Sequence, residues 1–162
     1  RIIEEITSAN MGIKQFARMV VRSRLRDHFG PWWRDKELLL RSYGDPAGNN
    51  RAETDEKSCL DILREAEIDI PTRPASTNAF LPRREAVATF LLREDGFAMS
   101  KHCKTLRKGF LGGYHYSRLQ VSTAGGEALY TDKPKKNRYS HPHDGLQYLA
   151  LGASDQDDAD WS

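Results

Sequence analysis

Two aspartates stand where a carboxylate is easily presented. Asp45 follows the apolar run at residues 37–43 and precedes Pro46 and Gly48, a sharp turn at the end of an expected strand. Asp144 follows Ser140, His141, Pro142 and His143 at an expected helix start, where the helix dipole favours the ionised form that binds metal. Carboxylates converging from separate elements can hold two hard cations such as Mg²⁺ or Mn²⁺ about 4 Å apart, an arrangement that serves phosphodiester hydrolysis. Each aspartate also has a plain structural use, Asp45 capping its own turn and Asp144 capping its own helix. Glu4 and Glu5 belong to the strand-like run RIIEEIT. Alternation puts them on opposite faces, so one of them at most can share a site with Asp45, and a solvated edge strand is the competing reading.

Other residues suggest contact with an anion. Lys101, Lys104, Arg107 and Lys108 mark a short basic helix, and Lys133, Lys135, Lys136 and Arg138 follow a hairpin. Residues 101–138 carry nine Lys or Arg against Glu127 and Asp132, a local excess of +7 that would neutralise several phosphates. Lysine and arginine on phosphate set register without reading sequence. Tyr114 and Tyr116 alternate beside them as either packing or stacking residues. Arg83 and Arg84 open an apolar helix and would serve either DNA or a solvated first turn, and His141 and His143 either touch phosphate or are structural. Cys59 and Cys103 fit neither a CxxC pair nor a disulfide framework, which favours a reducing compartment. No GxxxxGK[ST] motif occurs, so nucleotide hydrolysis is not assigned.

The elements that must position these residues alternate along the chain. After RIIEEIT, Ile13, Phe16, Ala17 and Val20 recur at helical spacing, with a stop expected at Gly30-Pro31. Thr54 or Asp55 is expected to cap a helix through Ala66, followed by a strand at residues 68–71. Pro82 suits the first turn of a helix that buries Ala86, Val87, Phe90 and Leu91 and ends at Gly96. The piece FAMS, a basic helix at residues 103–109, a hairpin around Gly125-Gly126 and a last helix N-capped by Ser140 complete the chain. This pattern predicts an α/β fold with sites at strand C-terminal ends.

At 162 residues the chain is one domain long, and no run approaches a membrane span. Residues 1–153 are expected to form the domain and 154–162 an acidic, disordered tail bearing Asp155, Asp157, Asp158 and Asp160. The formal charge of +2 would be +6 without that tail. Opening at Arg1 with no methionine and no leader, the chain reads as a fragment that is not secreted.

In order, the segments GDPAGNNRAETDEKSCLDIL, LPRREAVATFLL, CKTLRKGFLGGYHY and KKNRYSHPHDGLQYLALG resemble the C-terminal nuclease domain of tailed-phage terminase large subunits, over residues 3–151. The resemblance implies an RNase H-like mixed sheet flanked by helices that cuts concatemeric viral double-stranded DNA with two Mg²⁺ or Mn²⁺ ions. It implies a terminase ATPase domain, a small terminase subunit and a portal as partners, in the cytoplasm of an infected bacterial host. By motif it makes Asp45 and Asp144 the catalytic, metal-holding acids, and the nuclease reading adds Glu5 as an outer metal participant. The family's first acid lies on a strand upstream of RIIEEI, so this chain is expected to lack the first core strand and to carry an incomplete metal site. Gly145 replaces the alanine the family commonly has, at a helix-propensity cost of about 1 kcal/mol at most. The alternative is a noncatalytic module that binds DNA or docks on the packaging machinery.

Overall fold

The computed structural model describes residues 1–34, 40–50, 57–122 and 125–159. It is a mixed α/β structure with two small sheets. Strand β1 (Ser42–Gly44) pairs in parallel with β2 (Thr72–Pro74), and β3 (Tyr116–Ser122) pairs antiparallel with β4 (Ala128–Pro134) as the expected hairpin.

Helices α1 (Ile13–Phe16) and α2 (Arg22–Arg34) are joined through a π-helical turn at Ala17–Val21. The helix does not stop at Gly30-Pro31 but passes both to Arg34, because a proline removes one backbone hydrogen bond and here that loss falls in the last turns. Of the expected strand at residues 37–43, Ser42 and Tyr43 lie in β1, Leu40 and Arg41 do not, and residues 37–39 lie outside the described part. Thr54 and Asp55 also lie outside it. The cap observed on α3 (Cys59–Arg64) is Ser58, in a reciprocal capping box with Asp61 that satisfies two helix-end donors at once. Strand β2 begins at Thr72, later than the residues 68–71 read from the sequence, because Ile68 and Ile70 turn inward as core.

Helix α4 (Phe80–Leu92) buries Arg83, Ala86 and Val87, with Phe90 half-buried, while Leu91 is exposed. Helix α5 (Lys104–Lys108) runs into a π turn at Gly109–Gly113. Helix α6 (Ser140–Ala159) takes in Ser154–Ala159, so the segment expected as a disordered tail is largely the end of this helix, with residues 160–162 outside the description. Of RIIEEIT, only Ile2 makes a strand-like contact: Ile2 N–H donates to Ala98 O at 2.8 Å and Ser100 N–H donates to Ile2 O at 2.9 Å, a parallel bridge to FAMS.

The larger core lies where α4 packs along α6, with Leu106, Cys103, Leu146, Tyr148 and Leu151 among its buried members. Helix α6 also crosses β1 so closely that a Cβ on Gly152 would stand 2.4 Å from the Tyr43 ring. That contact fixes the end of β1, and therefore Asp45, relative to α6. A smaller core of Ala17, Ile68 and Ile70 seats α1 and the following turn on the loop before β2. Among the described residues no helix is long and apolar enough to cross a membrane.

Candidate acidic site at the end of β1

Asp45 sits just past the C-terminal end of β1, and its Oδ1 accepts the Ala47 N–H at 2.9 Å. This is the turn-capping use of an aspartate, and one carboxylate oxygen suffices for it. Across the gap lies buried Tyr148 of α6. Burial first, and the nearby Asp45 carboxylate second, push the Tyr148 phenol up to about 12.

Asp144 is one helical turn before Tyr148, so both project from one face of α6. Its Oδ1 faces Arg83 Nη1 at 3.3 Å and its Oδ2 faces Lys136 Nζ at 2.7 Å. The two cations differ in setting: the Arg83 side chain is 9% exposed and that of Lys136 73%. Arg83 also lays its guanidinium over the Tyr148 ring at 4.5 Å, and its Nε donates to Ala79 O at 3.4 Å. The result is a chain of contacts from Asp144 through Arg83 to Tyr148, built on α4 and α6, with Asp45 at the end of β1 near the Tyr148 phenol. The two aspartates expected to act together are thus brought to a common tyrosine.

The neighbours of Asp144 are built to hold α6 in place. His143 is buried, and since a carbonyl only accepts, its Nε2 must carry the proton shared with Leu106 O at 3.2 Å. Its ring stacks on Tyr114 at 4.7 Å and lies over Gly109, where an added Cβ would come within 2.0 Å of Nε2. Burial holds the His143 imidazole below its usual pKa, against the opposing pull of the Leu106 carbonyl. His143 is therefore structural, while His141 is exposed. Burial raises the Tyr114 phenol, a shift its hydrogen bond with Gln147 opposes. Ser140 is the first helical residue rather than the cap, and its Oγ accepts the Asn137 N–H at 2.8 Å.

Glu5 is held elsewhere. Its carboxylate accepts the Thr105 N–H at 2.6 Å and the Leu106 N–H at 2.8 Å, capping α5. Burial alone would raise it, but those backbone donors prevail and hold the carboxyl below its ordinary value. Glu5 lines a cleft of about 650 Å³ whose α6 wall is His141, Pro142, Gly145, Leu146 and Leu149, without Asp144 or Tyr148. Glu4 departs in the opposite direction, to His28 at 3.1 Å and Arg24 at 3.8 Å, as strand alternation requires.

Among the basic candidates, Lys101, Lys104, Arg107, Lys108, Lys133, Lys135, Lys136 and Arg138 are all exposed. Lys136 alone of these is shown on an aspartate of the pair, and Arg138 stacks on the Tyr139 ring at 4.9 Å. Tyr116 packs edge-on against Phe80 and accepts from Arg84 Nη1 at 3.2 Å. Both cysteines are free, Cys103 buried and Cys59 exposed.

A hard divalent ion takes about six oxygens, several from carboxylates. Here two carboxylates are brought together, and both oxygens of one are already met by protein cations. Among the described residues no group of three or more His, Cys, Asp or Glu is placed to hold a metal. The described donors alone do not fit a two-ion centre. Comparison of the chain with protein-family models, with curated proteins and with solved structures finds no match.

Sequence reasoning missed Arg83 and Tyr148 as members of the site. A signal for each was present: Arg83 shares the three- and four-residue spacing of Ala86, Val87 and Phe90, and Tyr148 follows Asp144 by four.

Proposed function

We propose that this chain belongs to a metal-dependent endonuclease domain of the RNase H-like kind, cutting concatemeric viral double-stranded DNA during genome packaging. The observation that supports this reading is that Asp45, at the end of a parallel strand, and Asp144, on a separate helix, both lie about Tyr148, with Arg83 between Asp144 and the Tyr148 ring. The Mg²⁺ or Mn²⁺ ions it implies need a further carboxylate, which the resemblance assigns to a strand ahead of Arg1. In this reading the exposed lysines and arginines of α5, β4 and the following loop seat the duplex by its phosphates. The ATPase domain, small terminase subunit and portal are its partners, and the host cytoplasm is its place of action.

A second reading has an observation of its own. Asp144 is neutralised twice over, as a structural acid would be, and a noncatalytic DNA-binding or docking module needs no more than that. The test is duplex cleavage by the full-length gene product, with Mg²⁺ or Mn²⁺ and with chelator. The nuclease reading predicts cleavage that requires the ion and is lost in Asp45→Asn and in Asp144→Asn. Binding that weakens steeply with salt, with no strand cut, selects the noncatalytic module.

A further inference from the structure

A groove of about 240 Å³ opens between α4, the turn after α5, the hairpin and α6, and its lining includes none of Asp45, Arg83, Asp144 and Tyr148. Phe80, Phe110, Tyr114 and Tyr116 line it, and Phe110 is 41% exposed. Four aromatic rings about one small opening suit a flat, aromatic ligand. The rim is positive. Arg84 lines the opening from α4, where it donates to the Tyr116 hydroxyl at 3.2 Å. Exposed Lys133 and Lys135 flank Pro134 of the lining, and exposed Lys108 precedes Gly109 of it. Against these four cations stand two exposed acids, Glu85, which pairs with Arg84, and Asp132.

The buried side of the groove holds an oxygen with nothing to accept. Gln147 lines the groove, it is 4% exposed, and among the described residues no donor meets its Oε1. An amide oxygen shut away from water without a donor destabilises the fold, and a leucine would fill the same space without that loss. The glutamine is explained if a ligand arrives with an N–H.

We infer that this groove binds one unpaired nucleobase of a DNA strand, with the base among the rings, an N–H of its edge on Gln147 Oε1, and the adjoining phosphates on Arg84 and the lysines. The pairing edge of each DNA base carries an N–H, and in a duplex that edge faces the partner strand, so occupancy requires a base out of the stack. An aromatic side chain of a partner protein would also suit the rings, but the cationic rim favours a ligand with a phosphate on either side. The groove uses neither aspartate, so the inference goes beyond the nuclease reading and holds or fails apart from it.

Fluorescence anisotropy of the full-length gene product, in chelator, tests it with two probes: a short labelled single strand of DNA, and an abasic sugar-phosphate oligomer of the same length. The probes share their phosphates and differ in the bases. The wild type should bind the base-bearing strand about tenfold more tightly. Gln147→Leu and Tyr116→Leu should bring that ratio close to one with affinity for the abasic oligomer unchanged, whereas Lys133→Ala with Lys135→Ala should weaken both probes and keep the ratio. Gln147→Leu should also melt no lower than the wild type, because it removes an unmet acceptor. A lower midpoint with the ratio intact makes Gln147 merely structural and overturns the proposal. Ala88→Leu, which fills the groove from a half-buried position on α4, should abolish the ratio too, and decides the matter if Gln147→Leu does not fold. Equal affinity of the wild type for the two probes overturns the inference and leaves the groove to an aromatic side chain of a protein partner.

Discussion

The two cores of this protein are stabilised differently. The core around α6 is pinned by polar groups with defined partners: His143 on Leu106 O, Glu5 on the start of α5, Arg83 on Asp144. The smaller core around Ile68 is apolar contact with a charged rim, in which Lys14 meets Glu65 and Glu67 while Arg22 donates to Ile68 O. Apolar contact holds an element in place without fixing its angle, whereas directional polar bonds fix geometry. Asp144, Arg83 and Tyr148 are built on the first kind, so α4, α5 and α6 should act as one body and α1–α2 as an attachment.

The sharpest way to break that contrast is Asp144→Ala. It leaves the Arg83 charge buried without its carboxylate, and breaking such a pair costs about 3–5 kcal/mol. An unfolding free energy, from urea titration, that falls by that amount, with amide exchange accelerated across α4 and α6 together, is the expected result. If exchange rises only around residue 144, the polar core is not one body. Ile68→Ala tests the other side. Ile68 is wholly buried, and truncation there should cost about 3 kcal/mol while accelerating exchange in α1 and α2 and leaving α6 protected.

Acid should separate the cores next. The folded pKa of His143 is depressed, so its contribution is complete above the usual value of 6.5 and is lost as pH falls through the lower folded value. Glu5 behaves alike from 4.5 downward, because its folded carboxyl is also depressed. Thermal melts from pH 7 to pH 3 should therefore show the α6 core weakening first below about pH 6.5 and again below about pH 4.5. His143→Gln should remove the first step and Glu5→Gln the second. The smallest effect is a gain: Gly145 lies within α6 with open space where a Cβ would go, so Gly145→Ala should stabilise by at most about 1 kcal/mol.

Much of this arrangement was legible in residue order. The hairpin around Gly125-Gly126, the helix around Pro82 and the last helix all follow from turn chemistry and apolar spacing. Asp45 and Asp144 were found because a proline turn and a helix start expose acids. What stayed hidden required long-range contact. Glu5 looked like a strand carboxylate, and only the approach of α5, one hundred residues on, makes it a cap. Arg83 looked like half of a solvated pair because a charge on an apolar helix face is uncommon until its counter-ion on another helix is known. The path of α2 through Pro31 overrode the strongest local stop signal in its segment.

The claim beneath all of this is that Asp45 and Asp144 are two parts of one site. Crystals of the full-length gene product, grown with Mn²⁺, test it by the position of the anomalous scattering peak. A peak within coordination distance of both Asp45 and Asp144 is the predicted result. A peak at neither aspartate, with Asp144 still closed by Arg83 and Lys136, would contradict it.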